Sequence, residues 1–377
     1  MEKINDENKV ILGLFFTCGV SLKIWDERGL LSREIALYNK LAEHVEKIFF
    51  FTYGDLSDKK YEKLLAQNII IVPKPFRIQN KLYSFLLPFI HRGKIELCTI
   101  LKTNQMDGSW TAVLSKLMFR KKLIVRTGYC WAISLKHLNI RLRYFFARLI
   151  ETIAYTFADI AIVTSQRDFN WVRDVYNYHN VCMIKNYVDT GKFFHQNLKK
   201  KKKEICFVGR LSKEKNIFSL ITALKNTGIS ISLIGDGIEK ENLLNFAKKE
   251  KVTIQHYHFV QNDKLPALLN QFKVFVLPSY FEGNPKALLE AMACGLCVIG
   301  TNVEGIKEVI QNNKTGLLCG VDSNNLRSTI LSTLNNELLM KSVGKNAVKF
   351  IVKHHSLEVI SRTELALYCQ LSKAKSL

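Results

Sequence analysis

Val274-Phe275-Val276-Leu277-Pro278-Ser279-Tyr280-Phe281-Glu282-Gly283-Asn284-Pro285-Lys286-Ala287-Leu288-Leu289-Glu290-Ala291-Met292-Ala293-Cys294-Gly295 carries a strand, a loop and a helix in that order. Val274 to Leu277 is a short apolar run that suits a buried parallel strand. Asn284 suits a helix N-cap, Pro285 the first helical position and Gly295 the C-cap. Glu282 then falls in the loop at the strand's end, with Glu290 about 12 Å further on by helical rise. That separation lets one carboxylate meet one end of an extended ligand while the other meets a different end.

The same rhythm runs outward from this segment. Strands are predicted at Ile205–Val208, Ser230–Ile234, Thr253–His256 and Cys297–Gly300, with helices opening near Ile217, Glu239, Lys264 and Ile306. Upstream, Val10–Phe16, Lys47–Thr52, Asn68–Val72, Leu97–Leu101, Lys122–Arg126 and Ile160–Thr164 alternate with helix-like stretches. Cys18–Gly29 reads as loop and Leu31–His44 as helix. Strands alternating with helices predict an α/β chain of parallel sheets covered on both faces. Phe193–Lys203 interrupts the alternation and ends in five lysines, so it reads as a solvated connection between residues 1–195 and residues 204–355. The chain is expected to form two doubly wound units, with ligand at strand C-terminal ends and in the cleft between domains.

Composition agrees with two globular domains: 377 residues, 47% hydrophobic and 23% charged. No apolar run reaches the roughly eighteen residues a spanning helix needs. The polar start lacks the basic region and cleavage site of a signal peptide, which predicts a cytoplasmic protein. Nine scattered cysteines, several inside apolar runs, suit reduced thiols; Cys294 and Cys297 have redox spacing but no zinc-site partners nearby. The formal net charge is +22, and Pro73–Ile150 alone holds 15 Lys and Arg against Glu96 and Asp107. Such a field attracts nucleic acid, anionic headgroups or phosphorylated substrates, or is simply a solvated surface.

Two glycine turns follow strands. In Val208-Gly209-Arg210-Leu211-Ser212-Lys213-Glu214-Lys215-Asn216, Gly209 admits close backbone approach, and Arg210 and Lys215 place two cations beside a helix start. That combination suits a diphosphate, or forms an ordinary basic loop. Leu233-Ile234-Gly235-Asp236-Gly237 says only that the backbone turns tightly.

Taken together, "VGRLSKEKN", "LIGDG", the E-x7-E element in "PSYFEGNPKALLEAMACG" and "TNVEGIKEVI…TGLL" resemble, in order and spacing, retaining glycosyltransferases of family 4 with the GT-B fold. The resemblance covers Ile205 to about Lys353, with a fainter echo in "ADIAIVTSQRD" and "IKNYVDTGKF". It implies two Rossmann-like domains facing across a cleft, the second binding a nucleotide-sugar donor. It further implies that Glu290 accepts from ribose hydroxyls and Glu282 contacts the transferred sugar without acting as a nucleophile. Backbone N–H groups of Gly283, Asn284, Pro285's neighbours and Lys286 would surround sugar and phosphate. Arg210 and Lys215 would neutralise the leaving diphosphate in place of a metal ion, so no metal and no cofactor is implied. Where relatives carry a Gly-Gly loop after the first strand, only Gly19 stands here; where many carry a histidine, the chain reads Arg126-Thr127-Gly128-Tyr129. Arg126 would orient substrate, and Asp107 in "NQMDG" is either part of a cleft loop or a turn-forming Asp-Gly.

The family's acceptor side is the N-terminal domain. There Lys74–Phe89 mixes cations with large apolar groups and reads as a membrane or acceptor surface, while the Arg141–Leu149 helix reads as aromatic core with a cationic rim. The expected activity is sugar transfer to a saccharide or lipid-linked acceptor at an anionic membrane's inner face. A nucleotide-sugar 2-epimerase is the rival enzyme; nucleic-acid binding is the rival class, without a recognised module for it. The fold implied by the resemblance ends with residues 356–377 crossing back to the N-terminal domain. Ser356 can cap that helix, whose apolar stripe Leu357, Ile360, Leu367 and Leu371 is interrupted at Glu364.

Overall fold

The computed structural model describes residues 10–75, 77–137, 141–196 and 203–373. Two compact units divide the chain: the first runs to Lys185 and takes in the chain from Ile360 onward, and the second is Asn186–Val359.

In the first unit the apolar runs become β1 (Ile11–Phe15), β2 (Lys47–Phe51), β3 (Ile69–Val72), β4 (Ile100–Thr103), β5 (Lys122–Thr127), β6 (Ile160–Val163) and β7 (Val181–Met183). They form one parallel sheet in the order β3-β2-β1-β4-β5-β6-β7. Side chains such as Leu12, Leu14, Phe50 and Phe51 are fully buried, as strands covered on both faces require. Two sequence expectations shift. The Cys18–Gly29 stretch contains a helix, Leu22–Glu27, because Ser21 Oγ accepts from Ile24 N and the Asp58 carboxylate accepts from Leu22 N and Lys23 N. β4 starts at Ile100 rather than Leu97, since Leu97 closes the short helix Arg92–Leu97.

The second unit holds β8 (Lys203–Val208), β9 (Ile231–Ile234), β10 (Ile254–Tyr257), β11 (Phe272–Leu277), β12 (Cys297–Thr301) and β13 (Leu317–Cys319). Their order is β10-β9-β8-β11-β12-β13, again all parallel. Phe193 is part of this unit's core, Asn270 Nδ2 donates to Phe194 O, and Gln196 N donates to Asn270 Oδ1. Residues up to Gln196 therefore belong to the second unit, and the connection expected within Phe193–Lys203 lies earlier, at Lys185–Asn186. Lys199–Lys202 lie outside the described residues.

After the helix Glu337–His354 the chain turns at His355-Ser356 and continues as the helix Leu357–Lys373. Ser356 Oγ accepts from Val359 N at 3.4 Å. Leu357, Ile360, Leu367 and Leu371 are all buried. Glu364, which interrupts their stripe, is buried too: Lys102 Nζ of β4 lies 2.5 Å from its carboxylate and donates to Tyr368 OH at 3.0 Å. Tyr368 OH in turn donates to Glu364 at 2.6 Å. Burial drives both groups toward neutrality; the facing ammonium nevertheless holds the Glu364 carboxyl below the usual range, and burial pulls Lys102 below the usual ammonium range. The break in the stripe is the polar lock of this helix.

The Arg141–Phe157 helix reverses the sequence expectation. Its buried side is Ala147, Glu151, Ala154 and Tyr155, while Phe145 and Phe146 are exposed. Small side chains let this helix lie close to its neighbours, which turns the bulky residues outward.

Candidate functional site

Strand order reverses between β1 and β4 in the first sheet and between β8 and β11 in the second. Loops leaving two such neighbours diverge, and the crevice at their C-terminal ends is where open α/β sheets bind ligands. The residues singled out from sequence map onto these two places.

In the second unit, β8 ends at Val208, so Gly209, Arg210 and Lys215 form the loop beyond it. β11 ends at Leu277, so Glu282 to Pro285 form the loop on the other side of the reversal. A side-chain bond bridges the two: Lys215 Nζ donates to Glu282 Oε1 at 2.5 Å, both groups being largely buried. Ser279 Oγ donates to the same oxygen at 2.8 Å. Arg210 is exposed beside them. Gly235, at the end of β9, has φ +134, and a Cβ there would stand 2.1 Å from Gly209 O. Only glycine lets these two strand ends approach so closely.

The helix after β11 spans Lys286–Ala293, with Pro285 rather than Asn284 at its N-cap. Asn284 is drawn away from capping by Asn186: its Oδ1 accepts from Asn186 N at 2.9 Å and its carbonyl accepts from Asn186 Nδ2 at 2.6 Å. The Asn284 Nδ2 donor is left buried with no hydrogen-bond partner among the described residues. Such a group invites an acceptor from a ligand. Glu290 is buried on the same helix and accepts from Asn262 Nδ2 at 3.1 Å.

Four participants escaped the sequence reading. Asn262 holds Glu290, Asn186 holds Asn284, Ser279 braces Glu282, and Gly305 lets the helix start after β12 touch the Glu282–Gly283 backbone, where a Cβ would meet Gly283 O at 2.0 Å. Asn262 stands in the loop that follows β10, a position that could have flagged it, and Gly305 in the short helix Glu304–Lys307 just after β12.

In the first unit, Gly19 (φ +77) and Asp107 follow β1 and β4. Cys18 N donates to Asp107 O at 3.3 Å, and a Cβ on Gly108 would come within 2.9 Å of Cys18 N. Asp107 thus belongs to a loop packed on the Gly19 turn; burial raises its carboxyl, opposed by Lys81. Arg126, at the end of β5, donates to Asn104 O at 3.5 Å, and Gln105 Oε1 accepts from Gly128 N, tying the loops after β4 and β5 together.

Residues 189–350 match the family of glycosyl transferases group 1. This stretch carries the Lys215–Glu282 bridge, Asn284 and Glu290. The chain is similar to an uncharacterized glycosyltransferase of Methanocaldococcus jannaschii, 33% identical over 149 residues, 39% of this chain and 42% of that protein. The match therefore spans less than half of that relative. Among solved structures, sucrose-phosphate synthase from Thermosynechococcus elongatus superposes with a TM-score of 0.81 at 19% identity, over 97% of this chain and 100% of that one. Anabaena HepE in complex with UDP-glucose gives 0.75 at 15% identity, over 96% and 99%. These likenesses show the fold, two parallel sheets of the GT-B class.

Proposed function

We propose that the chain is a retaining, metal-independent glycosyltransferase. It moves a sugar from a nucleoside-diphosphate sugar to a saccharide or lipid-linked acceptor, in surface polysaccharide or glycolipid synthesis, at the inner face of the cytoplasmic membrane. The observation that carries this reading is the Lys215–Glu282 bridge across the β8/β11 reversal, with buried Glu290 behind it. The group 1 match over the same residues and the UDP-glucose bound to a structural neighbour support it.

In this reading Glu290, steadied by Asn262, accepts from the ribose hydroxyls. Lys215 and Arg210 face the diphosphate, and their positive charge stabilises the negative charge that grows as the sugar–oxygen bond breaks. Glu282 receives sugar hydroxyls and, through its bond to Lys215, keeps that ammonium aimed before the donor arrives. The Asn284 amide and the backbone N–H groups around Gly283 and Lys286 complete the cradle. The acceptor hydroxyl attacks from the face the diphosphate leaves and passes its proton to the departing diphosphate oxygen, so no enzyme nucleophile is needed. Gly19, Asp107 and Arg126 of the first unit serve the sugar and acceptor side.

Melting curves with UDP, GDP, ADP and their sugars identify the nucleotide, since a ligand bound only by the folded chain raises its stability. Lys215→Ala should then weaken that nucleotide roughly 10- to 150-fold, the loss of one charge-assisted contact of about 1.5–3 kcal/mol. Unchanged affinity removes the diphosphate assignment. Loss of transfer in EDTA, restored by Mg²⁺ or Mn²⁺, removes metal independence.

A further inference from the structure

In the first sheet, the chain moves from β3 to β4, β5, β6 and β7 always in the same direction across the strand order. Right-handed crossovers then put the helices of those connections on one side of the sheet. Two of them show solvent their apolar side. The Asn80–Ile90 helix buries Tyr83, Ser84, Leu87 and Pro88 and exposes Leu82, Phe85, Leu86 and Phe89, at the i, i+3, i+4, i+7 spacing of a continuous stripe. The Arg141–Phe157 helix exposes Leu142 (72%), Phe145 (65%), Phe146, Leu149 and Ile153 in the same way. Between them lies the Ser109–Phe119 helix, packed on both, with Leu117 and Met118 exposed at its end.

The charge around these stripes has one sign. Lys81, Arg92, Lys94, Arg120, Arg141 and Arg143 are exposed on or beside these helices, against the single exposed acid Glu96. A cavity of about 670 Å³ opens at the end of the Asn80–Ile90 stripe; Phe89, Met118 and Phe119 form its apolar wall, and Arg92, Arg120 and Lys121 line it together with Glu96, whose carboxylate accepts from Arg92 Nε at 2.8 Å and leaves the lining a net positive charge. No helix among the described residues is long and apolar enough to cross a membrane, so contact with a bilayer through this layer is peripheral.

We infer that this helical layer seats the first unit on an anionic phospholipid surface, the Leu82–Phe89 and Leu142–Ile153 stripes entering the interface, with lipid phosphate held by the Arg92–Arg120–Lys121 cavity. The inference rests on the membrane placement proposed above and assigns it to a definite face. Charge decides the occupant. A second copy would bring six cations against six, and a nucleic acid would lay phosphates on exposed phenylalanines. An anionic bilayer alone offers phosphates for the rim and acyl chains for the stripes.

Co-sedimentation of the full chain with vesicles of phosphatidylcholine, with and without phosphatidylglycerol, tests the face. The native chain should bind only vesicles containing phosphatidylglycerol. Leu142→Ser with Phe145→Ser, and separately Leu82→Ser with Phe89→Ser, should lose most of that binding. Arg141→Gln with Arg143→Gln should weaken it by roughly fivefold per cation. All three should keep the native melting curve and nucleotide affinity, which are read without vesicles and so separate failure of this face from failure of the donor site. Native-level vesicle binding in the variants overturns the assignment. So does equal binding to pure phosphatidylcholine, or a solution dimer that the Phe145 variant dissolves.

Discussion

Exchanging Glu364 for glutamine leaves the Lys102 ammonium buried against a neutral amide, because Lys102 has no exposed surface and bonds to Glu364 and Tyr368. Breaking one half of a buried ion pair costs about 3–5 kcal/mol, mostly the desolvation of the stranded charge. Burial already pulls Lys102 below the usual lysine range, so it can shed its proton, which puts the expected loss near 3 kcal/mol. Removing the whole network should behave differently. Lys102→Met, Glu364→Leu and Tyr368→Phe together remove all three hydrogen-bonded groups, leaving the half-buried Arg126 as the neighbouring charge, and stability should return to within about 1 kcal/mol of the native chain or exceed it. The measurement is selective: Trp25, Trp110, Trp131 and Trp171 all lie in the first unit, so tryptophan fluorescence in urea follows that unit alone. If Glu364→Gln costs less than about 1 kcal/mol, or the triple variant is no better than the single one, the C-terminal helix is held by packing and the lock is refuted.

Asn262→Ala should weaken nucleotide binding roughly two- to twelvefold, the worth of one hydrogen bond steadying Glu290, and calorimetry showing native affinity would deny it that role. Gly235→Ala should destabilise the second unit by about 1–3 kcal/mol from its backbone conformation, before any clash with Gly209 O; a native melting curve would count against the close approach. His91, buried and bonded to Tyr83 OH at 2.9 Å, is pushed down to about 4 by burial. Its folded value lies below the unfolded value of 6.5, so the unfolded chain takes the proton first and the first unit loses stability as pH falls from 6.5 toward about 4. His91→Gln should flatten that part of the profile, and an unchanged slope would place the acid sensitivity elsewhere.

Both sheets were legible because their strands are buried on two faces and therefore read as short apolar runs. Long-range pairing was not. Lys102 sits in a buried strand and Glu364 in an apolar helical stripe; each looks like a fault in its pattern until the other, 262 residues away, is placed beside it. Local propensity also misplaced Asn284: its amide is a good cap in isolation, yet Asn186 takes its oxygen, and Pro285 closes the helix start instead. Helical periodicity has a related blind spot. It finds the apolar stripe of Arg141–Phe157 but not which side faces inward, and here the alanines do.

The two strand-order reversals differ in what closes them. At β1/β4 the loops meet through main chain, Cys18 N on Asp107 O with Gly108 pressed against Cys18. At β8/β11 the junction is a side-chain ion pair, Lys215 to Glu282, with Ser279 on the same oxygen. A main-chain closure is rigid and offers little beyond the turn at Gly19. A lysine held by a carboxylate can turn part of its charge to an incoming diphosphate while Glu282 takes up hydroxyl donors, so neither group is left unpaired at any stage. In the proposed reading the donor's diphosphate therefore falls to the second unit. The first unit's exposed cations Lys81, Arg92, Lys94, Arg120, Arg141 and Arg143 lie instead on its helical layer, along the rims of the two exposed stripes.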